Sequence, residues 1–263
     1  MSNKTFEPLP AKTVDAFHRG RFWLVQPAGS GHRAGLDAMV LAAAVPAGFS
    51  GCVADLGAGA GAAGLAVAAR CPQAQAVLVE RSPEMADLAG QSLMLEQNTE
   101  IAKRASILRA DVTLAGKARV EAGLADNAFD FVIMNPPFNA ENDRATPDAL
   151  KRQAHVMEGE LWESWLRTAA AIAKPGGGLA LIARPESLAD ILPALKGRFG
   201  STELVTVHPR EDRPAIRVVL RARRGARKRM SILPPLVLHG PEGNRFTPRA
   251  DDICDGLGSL FGD

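Results

Sequence analysis

Short apolar runs alternate with longer amphipathic ones through the middle of the chain, and that rhythm commits it to a parallel sheet with helices on both faces. The strand-like runs fall at residues 52–56, 76–80, 106–109, 129–134 and 179–183, each ended by Gly, Pro or a charge. Helical periodicity falls at 61–70, 83–98, 160–173 and 187–198. Two further runs, 203–208 and 216–221, are separated by a loop too short for a crossover helix, so they should pair antiparallel at one edge of the sheet. Before the first strand comes one helical stretch, 37–45, with Asp37 placed to cap it. The polar segment 141–159, which carries Pro147, reads as a mobile loop after the fourth strand, on the side where open α/β sheets bind ligands.

Composition narrows the function classes. With 263 residues, 46% of them hydrophobic, the chain can bury a sizeable core. Lys and Arg number 31 against 29 Asp and Glu, so any affinity for a polyanion must come from local clustering. Cys52, Cys71 and Cys254 match no metal-ligand or disulfide spacing, which points to a reducing cytoplasm and no metal. The N-terminus lacks the apolar core of a signal peptide, and the longest apolar stretch, 38–49, is broken by Pro46 and Gly48; no membrane partner is expected.

The run Cys52-Val-Ala-Asp55-Leu-Gly57-Ala-Gly59-Ala-Gly61 carries a buried strand straight into glycines and then a helix. Such glycines let the backbone turn tightly and approach a ligand with no Cβ in the way. Glu80 ends the next strand about twenty residues on, where a carboxylate can accept from the two hydroxyls of a ribose. Together they point to a nucleoside ligand. Residues 59–64 also satisfy the GxGxxG dinucleotide pattern, so a nicotinamide-dependent oxidoreductase is one reading. Against it, the charge of Asp55 sits poorly beside a pyrophosphate.

The fourth strand runs directly into Asn135-Pro136-Pro137-Phe138. Two prolines fix the backbone and remove two donors, leaving the Asn135 side-chain oxygen and the Pro136 carbonyl free to face one incoming amine. Two acceptors that hold both hydrogens of a conjugated amine favour a pyramidal nitrogen and restore its lone pair for attack, without a strong base. Phe138 follows at the rim, where its ring can stack on a planar base.

The D-x-G-x-G-x-G turn resembles the first motif of class I methyltransferases that use S-adenosylmethionine, and NPPF resembles the (N/D)PP(Y/F) motif of their amino-methylating branch. The resemblance implies a Rossmann-like, mostly parallel seven-stranded sheet. It implies S-adenosylmethionine held by Asp55, Gly57, Gly59, Gly61, Glu80 and Asp111, the last at the adenine amino group, and catalysis at Asn135, Pro136, Pro137 and Phe138. The segments 26–42, with His32 and Arg33, and 236–248 are similar to the bacterial family that methylates adenine N6 in valine tRNA. In that light residues 1–50 form a leader over the cofactor, 51–222 the methyltransferase core, and 223–263 a basic stretch and closing hairpin of the same domain. Guanine N2 in rRNA and protein glutamine are the alternative acceptors, and a non-catalytic RNA-binding protein is a more remote reading.

Independently of any resemblance, seven of the thirteen residues from 217 to 229 are basic: Arg217, Arg221, Arg223, Arg224, Arg227, Lys228 and Arg229. A run like this tracks phosphates, with RNA, tRNA above all, as the expected partner. It also suits a solvated sheet edge charged against aggregation. Trp162 and Trp165 read as core packing, and His155 carries no assignment.

Overall fold

The computed structural model describes residues 12–28, 35–137 and 148–263, with 148–158 described as backbone only. A two-stranded hairpin, β1 (Lys12–Phe17) and β2 (Phe22–Pro27), comes first, followed by α1 (Leu36–Ala42). Then come β3 (Gly51–Leu56), α2 (Ala62–Arg70), β4 (Ala74–Val79), α3 (Pro83–Leu93), α4 (Thr99–Ala102), β5 (Ala105–Leu108) and α5 (Gly116–Glu121). The remainder is β6 (Phe129–Met134), α6 (Asp148–Ile172), β7 (Ala173–Ala183), α7 (Leu188–Leu195), β8 (Phe199–His208), β9 (Arg217–Arg224), β10 (Ser231–Ile232), β11 (Leu236–Val237) and α8 (Pro248–Cys254).

The seven long strands run in the order β8-β9-β7-β6-β3-β4-β5. All neighbours are parallel except β9, which is antiparallel to both β7 and β8. This is the expected Rossmann-like sheet with two amendments. The short strands β10 and β11 pair parallel to β8 and bring the count to nine. The antiparallel pair stands at the expected edge of the long strands, but the strand carrying the basic run, β9, is its inner member, because β8 covers it.

The strands are apolar throughout because both faces are covered. Phe131 and Ile133 of β6, Ala180 and Ile182 of β7 and Val219 of β9 pack into one core with α1, α2 and α8. The intervening Val132, Met134, Leu179, Leu181, Val218 and Leu220 pack into the other, against α6 and α7. That alternation is the period-two geometry of a strand read twice, once on each side.

Several boundaries depart from the sequence reading for local reasons. The hairpin at 12–27 went unread; its turn sets His18 and Arg19 at positive φ, 49° and 55°, without any Asn-Gly or Asp-Gly signal. The helix at 83–98 stops at Leu93, since Leu95 is extended at φ −65° and ψ 136°, and Asn98 beyond it bonds the hairpin. Its Oδ1 accepts from the Trp23 N–H at 2.9 Å and its Nδ2 donates to the Trp23 carbonyl at 2.7 Å. Gly35, not Asp37, occupies the cap of α1, and the Asp37 carboxylate accepts from Arg217 Nε at 2.8 Å. The segment expected to be a loop to residue 159 is helical from Asp148, while 141–147 lie outside the described residues.

Among the described residues no helix is long and apolar enough to cross a membrane, and no group of three His, Cys, Asp or Glu is arranged to hold a metal ion. All three cysteines are free thiols.

Candidate active site

The chain leaves β3 toward β4 on one side and returns to β6 on the other, so a crevice opens beyond the carboxyl ends of β3 and β6. Leu56 and Met134 are register partners there. One residue further, Gly57 and Asn135 emerge side by side.

Two cavities meet at this point. One, of about 330 Å³, is lined by Leu36, Asp37, Asp55, Ala60 and Ala63. The other, of about 280 Å³, is lined by Glu80, Arg81, Asp111, Val112, Leu161 and Trp165. Gly57, Gly59, Met85 and Asn135 line both, so the two are halves of one cleft.

The turn explains its own glycines. Gly57 has φ 71°, and a Cβ there would lie 2.5 Å from the Trp165 ring. Gly61 has φ 93°, and its Cβ would meet Leu78 at 2.8 Å. Both are required by conformation and packing. Gly59, at φ 57°, would meet only Met85 at 3.5 Å, so its bare backbone faces the join of the two cavities.

Three carboxylates frame this backbone. Asp55 is 2% exposed and accepts from the Gly64 N–H at 2.8 Å. Burial pushes its pKa up to about 7, with the charge of Glu80 adding to the rise and the Gly64 N–H opposing it. Glu80 accepts from the Gly59 N–H at 2.9 Å through Oε2 and from the Ser82 N–H at 2.7 Å through Oε1, tying the glycine turn to the start of α3. Asp111 accepts from the N–H and the hydroxyl of Thr113, at 2.8 and 2.7 Å. Partial burial raises its pKa, but those bonds and Arg81, 3.6 Å away, outweigh it and hold the carboxyl below its ordinary value.

Asn135 stands where the halves join. Its Oδ1 is buried and has no hydrogen-bond partner among the described residues. A buried acceptor left unmatched costs about 1–3 kcal/mol, so a site like this is built for a donor that arrives. Pro136 is buried behind it, Pro137 lines the Glu80 half, and Phe138 lies outside the described residues.

Seven of the site residues expected from sequence therefore line one cleft: Asp55, Gly57, Gly59, Glu80, Asp111, Asn135 and Pro137. Gly61 supports the turn from behind. Met85 and Trp165 were missed as cleft residues. Met85 lies in the first turn of a helix that begins just after a strand end, a placement that itself points into the crevice. Trp162 is core as expected, 1% exposed, whereas Trp165, three residues on, walls the Glu80 half. His32 and Arg33 lie outside the described residues, as does the side chain of His155.

The basic run behaves differently. Because β9 is antiparallel to β7, Val218 pairs with Ala183 at the cleft end while Arg223 pairs with Gly178 at the far end. Arg217 is held by Asp37, Arg221 by Glu203 and Asp263, and Arg224 by Asn127 and the Ala173 carbonyl. The run does not converge on the cleft.

The family model described as the methyltransferase small domain matches residues 30–210. A tRNA1(Val) (adenine(37)-N6)-methyltransferase of Porphyromonas gingivalis is 30% identical over 200 residues, 74% of this chain and 75% of that one. Among solved structures, a predicted O-methyltransferase from Agrobacterium tumefaciens is 44% identical with a TM-score of 0.75, covering 85% of this chain and 98% of that one. The Thermus thermophilus 16S rRNA N2 G1207 methyltransferase in complex with AdoMet and guanosine shares the fold, at 22% identity and a TM-score of 0.56 over 84% of this chain and 53% of that one.

Proposed function

This chain belongs to the methyltransferase small-domain family and is an S-adenosylmethionine-dependent methyltransferase, and from that premise we propose that its acceptor is an exocyclic amine, adenine N6 in tRNA. The observation that carries the amine is the unmatched, buried Oδ1 of Asn135 at the join of the two half-cavities. An acceptor there takes one hydrogen of the amine, the Pro136 carbonyl takes the other, and Phe138 stacks on the base. The similarity to the tRNA1(Val) enzyme of P. gingivalis supports adenine in tRNA.

The cofactor fits the cleft residue by residue. Glu80 and Asp111 would hold its ribose and adenine in one half, and Asp55 with the glycine turn its amino-acid end in the other. When bound, the cofactor supplies an electrophilic methyl. Asn135 orients the amine toward it and draws the nitrogen lone pair out of conjugation, and the surplus proton leaves once the nitrogen is alkylated. The A. tumefaciens relative is titled a predicted O-methyltransferase. A hydroxyl acceptor needs a base to deprotonate it, whereas an amide oxygen such as that of Asn135 accepts hydrogen bonds but takes no proton.

Labelled S-adenosylmethionine incubated with unmodified tRNA, rRNA and cell protein tests the reading, with mass spectrometry of the product. Label in N6-methyladenosine from tRNA is the expected outcome. Label in guanosine or glutamine would keep the amine chemistry and replace the acceptor, and label on oxygen would overturn both.

Asp55 makes cofactor affinity depend on pH. Its folded pKa, about 7, lies above the unfolded value, so ionising it costs the fold stability as pH rises from about 4 through 7. An ammonium placed against it relieves that cost only when Asp55 is ionised. Cofactor affinity, read by calorimetry, is expected to be roughly tenfold weaker at pH 6 than at pH 7.5, as the competent fraction falls. In Asp55→Asn the profile should be flat; an equal slope there would assign the titration elsewhere.

A further inference from the structure

The cations left over from the basic run surround a second cavity at the opposite edge of the sheet. Arg223, Arg227, Lys228 and Arg229 are exposed and, among the described residues, make no ion pair. Three of them, Arg223, Lys228 and Arg229, line a cavity of about 700 Å³ together with the polar Ser201, Thr202 and Ser231. Asp130 on β6 lines this cavity and Asn135, just past the end of that strand, lines the cleft, and the five residues between them span about 17 Å.

The backbone beneath these cations is fixed although their side chains are free. The Gly225 N–H donates to the Arg198 carbonyl at 2.9 Å, and the Ser201 N–H to the Lys228 carbonyl at 3.1 Å. The register of β8 against β9 shifts between Gly200 and Glu203, and a Cβ on Gly200 would lie 2.1 Å from the Ala226 carbonyl oxygen. The segment therefore lies flat on β8 before β10 pairs with that same strand. Three carboxylates, Asp130, Glu203 and Asp263, also line the cavity, and each is already engaged. Asp130 pairs with Lys174 at 2.6 Å, and Glu203 and Asp263 share Arg221 at 2.8 and 2.7 Å. The lining cations Arg221, Arg223, Lys228 and Arg229 outnumber the three lining carboxylates by one, and because those carboxylates are already paired, the cations and hydroxyls left open suit phosphate oxygens.

We propose that this far-edge cavity is a second RNA-binding site, which holds phosphodiester backbone of the substrate RNA remote from the nucleotide being methylated. The proposal rests on RNA being the substrate. It makes recognition a two-point event: the cleft takes one base, and the far edge takes backbone that a folded RNA brings around the β8 side of the sheet. Contacts of this type position the RNA and read no sequence.

The test is the salt dependence of tRNA affinity for the wild type and for the variant Arg223→Gln, Arg227→Gln, Lys228→Gln and Arg229→Gln combined, with cofactor affinity as the check on folding. Loss of four phosphate contacts should lower the slope of log K against log salt by about 3 and weaken binding at least tenfold near physiological salt. Should the combined variant fail to fold, Arg223→Gln and Arg229→Gln singly should each lower the slope by somewhat under 1. A control, Lys103→Gln with Lys117→Gln, removes exposed charge from helix regions elsewhere and should leave the slope in place. An unchanged slope in the far-edge variants, or an equal loss per charge in the control, would overturn the second site while leaving RNA as the substrate. A wild type that binds no RNA and methylates only protein would overturn the site and the RNA reading together.

Discussion

Asn135→Ala is expected to lower the methyl-transfer rate by about 10²–10³, a loss of roughly 3–4 kcal/mol of transition-state stabilisation, while cofactor affinity stays within about twofold of wild type. The split follows from geometry. Asn135 touches both half-cavities, but its Oδ1 makes no bond that holds the turn, so removing it leaves Asp55, Glu80 and the glycines where they stand. What disappears is the acceptor that turns a conjugated amine into a nucleophile. Asn135→Asp keeps an acceptor at the cost of a buried charge and should retain more activity than the alanine variant. Single-turnover rates with saturating cofactor, beside a calorimetric cofactor titration, measure the two halves of the prediction. Equal loss of rate and cofactor affinity would mean that Asn135 holds the cofactor rather than the acceptor.

The parts of this site legible in the sequence are those in which local chemistry and position coincide. Asp55 and Asn135 each lie within a residue of a strand end, and both strands were readable because a short apolar run of about six residues, stopped by Gly or Pro, is too short for a buried helix. Their adjacency follows from topology: Leu56 and Met134 pair, so whatever comes next in both strands meets. Gly57 was readable as a glycine but not for its reason, since Trp165 approaches it from a helix more than a hundred residues later. Trp165 itself looked like core because its spacing from Trp162 is a packing signal, and it does pack; the cleft is on its other side.

The basic run shows the opposite case. Seven cations in thirteen residues read as one patch, yet a strand carries its residues across the whole sheet at about 3.3 Å each. Arg217 and Arg223 therefore lie toward opposite ends of β9, and three of the seven charges are held by partners far away in sequence, Asp37, Asp263 and Asn127 among them. Charge density along a chain does not say which end of a strand the charge reaches. The hairpin at 12–27 was missed for a related reason. One of its strands alternates between exposed and half-buried residues, and what fixes it is Ser92 and Asn98 on and after α3, which bond the backbone of Val25 and Trp23.

Glu80→Ala should produce the complementary phenotype, with cofactor affinity falling by about a hundredfold or more. Both oxygens of Glu80 already work for the fold. Oε2 holds the Gly59 N–H and Oε1 the Ser82 N–H, so the carboxylate clamps the glycine turn after β3 to the entry of α3. Each oxygen keeps a second lone pair, which is what a ribose diol requires. Truncation therefore removes two charge-assisted bonds to the ligand, worth about 1.5–3 kcal/mol each, and releases the turn that carries the ligand's other contacts. Glu80→Gln separates these contributions. Its amide oxygen can still accept from one backbone N–H, but its NH₂ cannot accept from the other and meets the second hydroxyl only by donating to it, without the carboxylate charge, so its loss should be about tenfold and its melting temperature nearer to wild type. If cofactor affinity survives Glu80→Ala while the melting temperature drops, Glu80 is a structural clamp alone and the ribose lies elsewhere in the cleft.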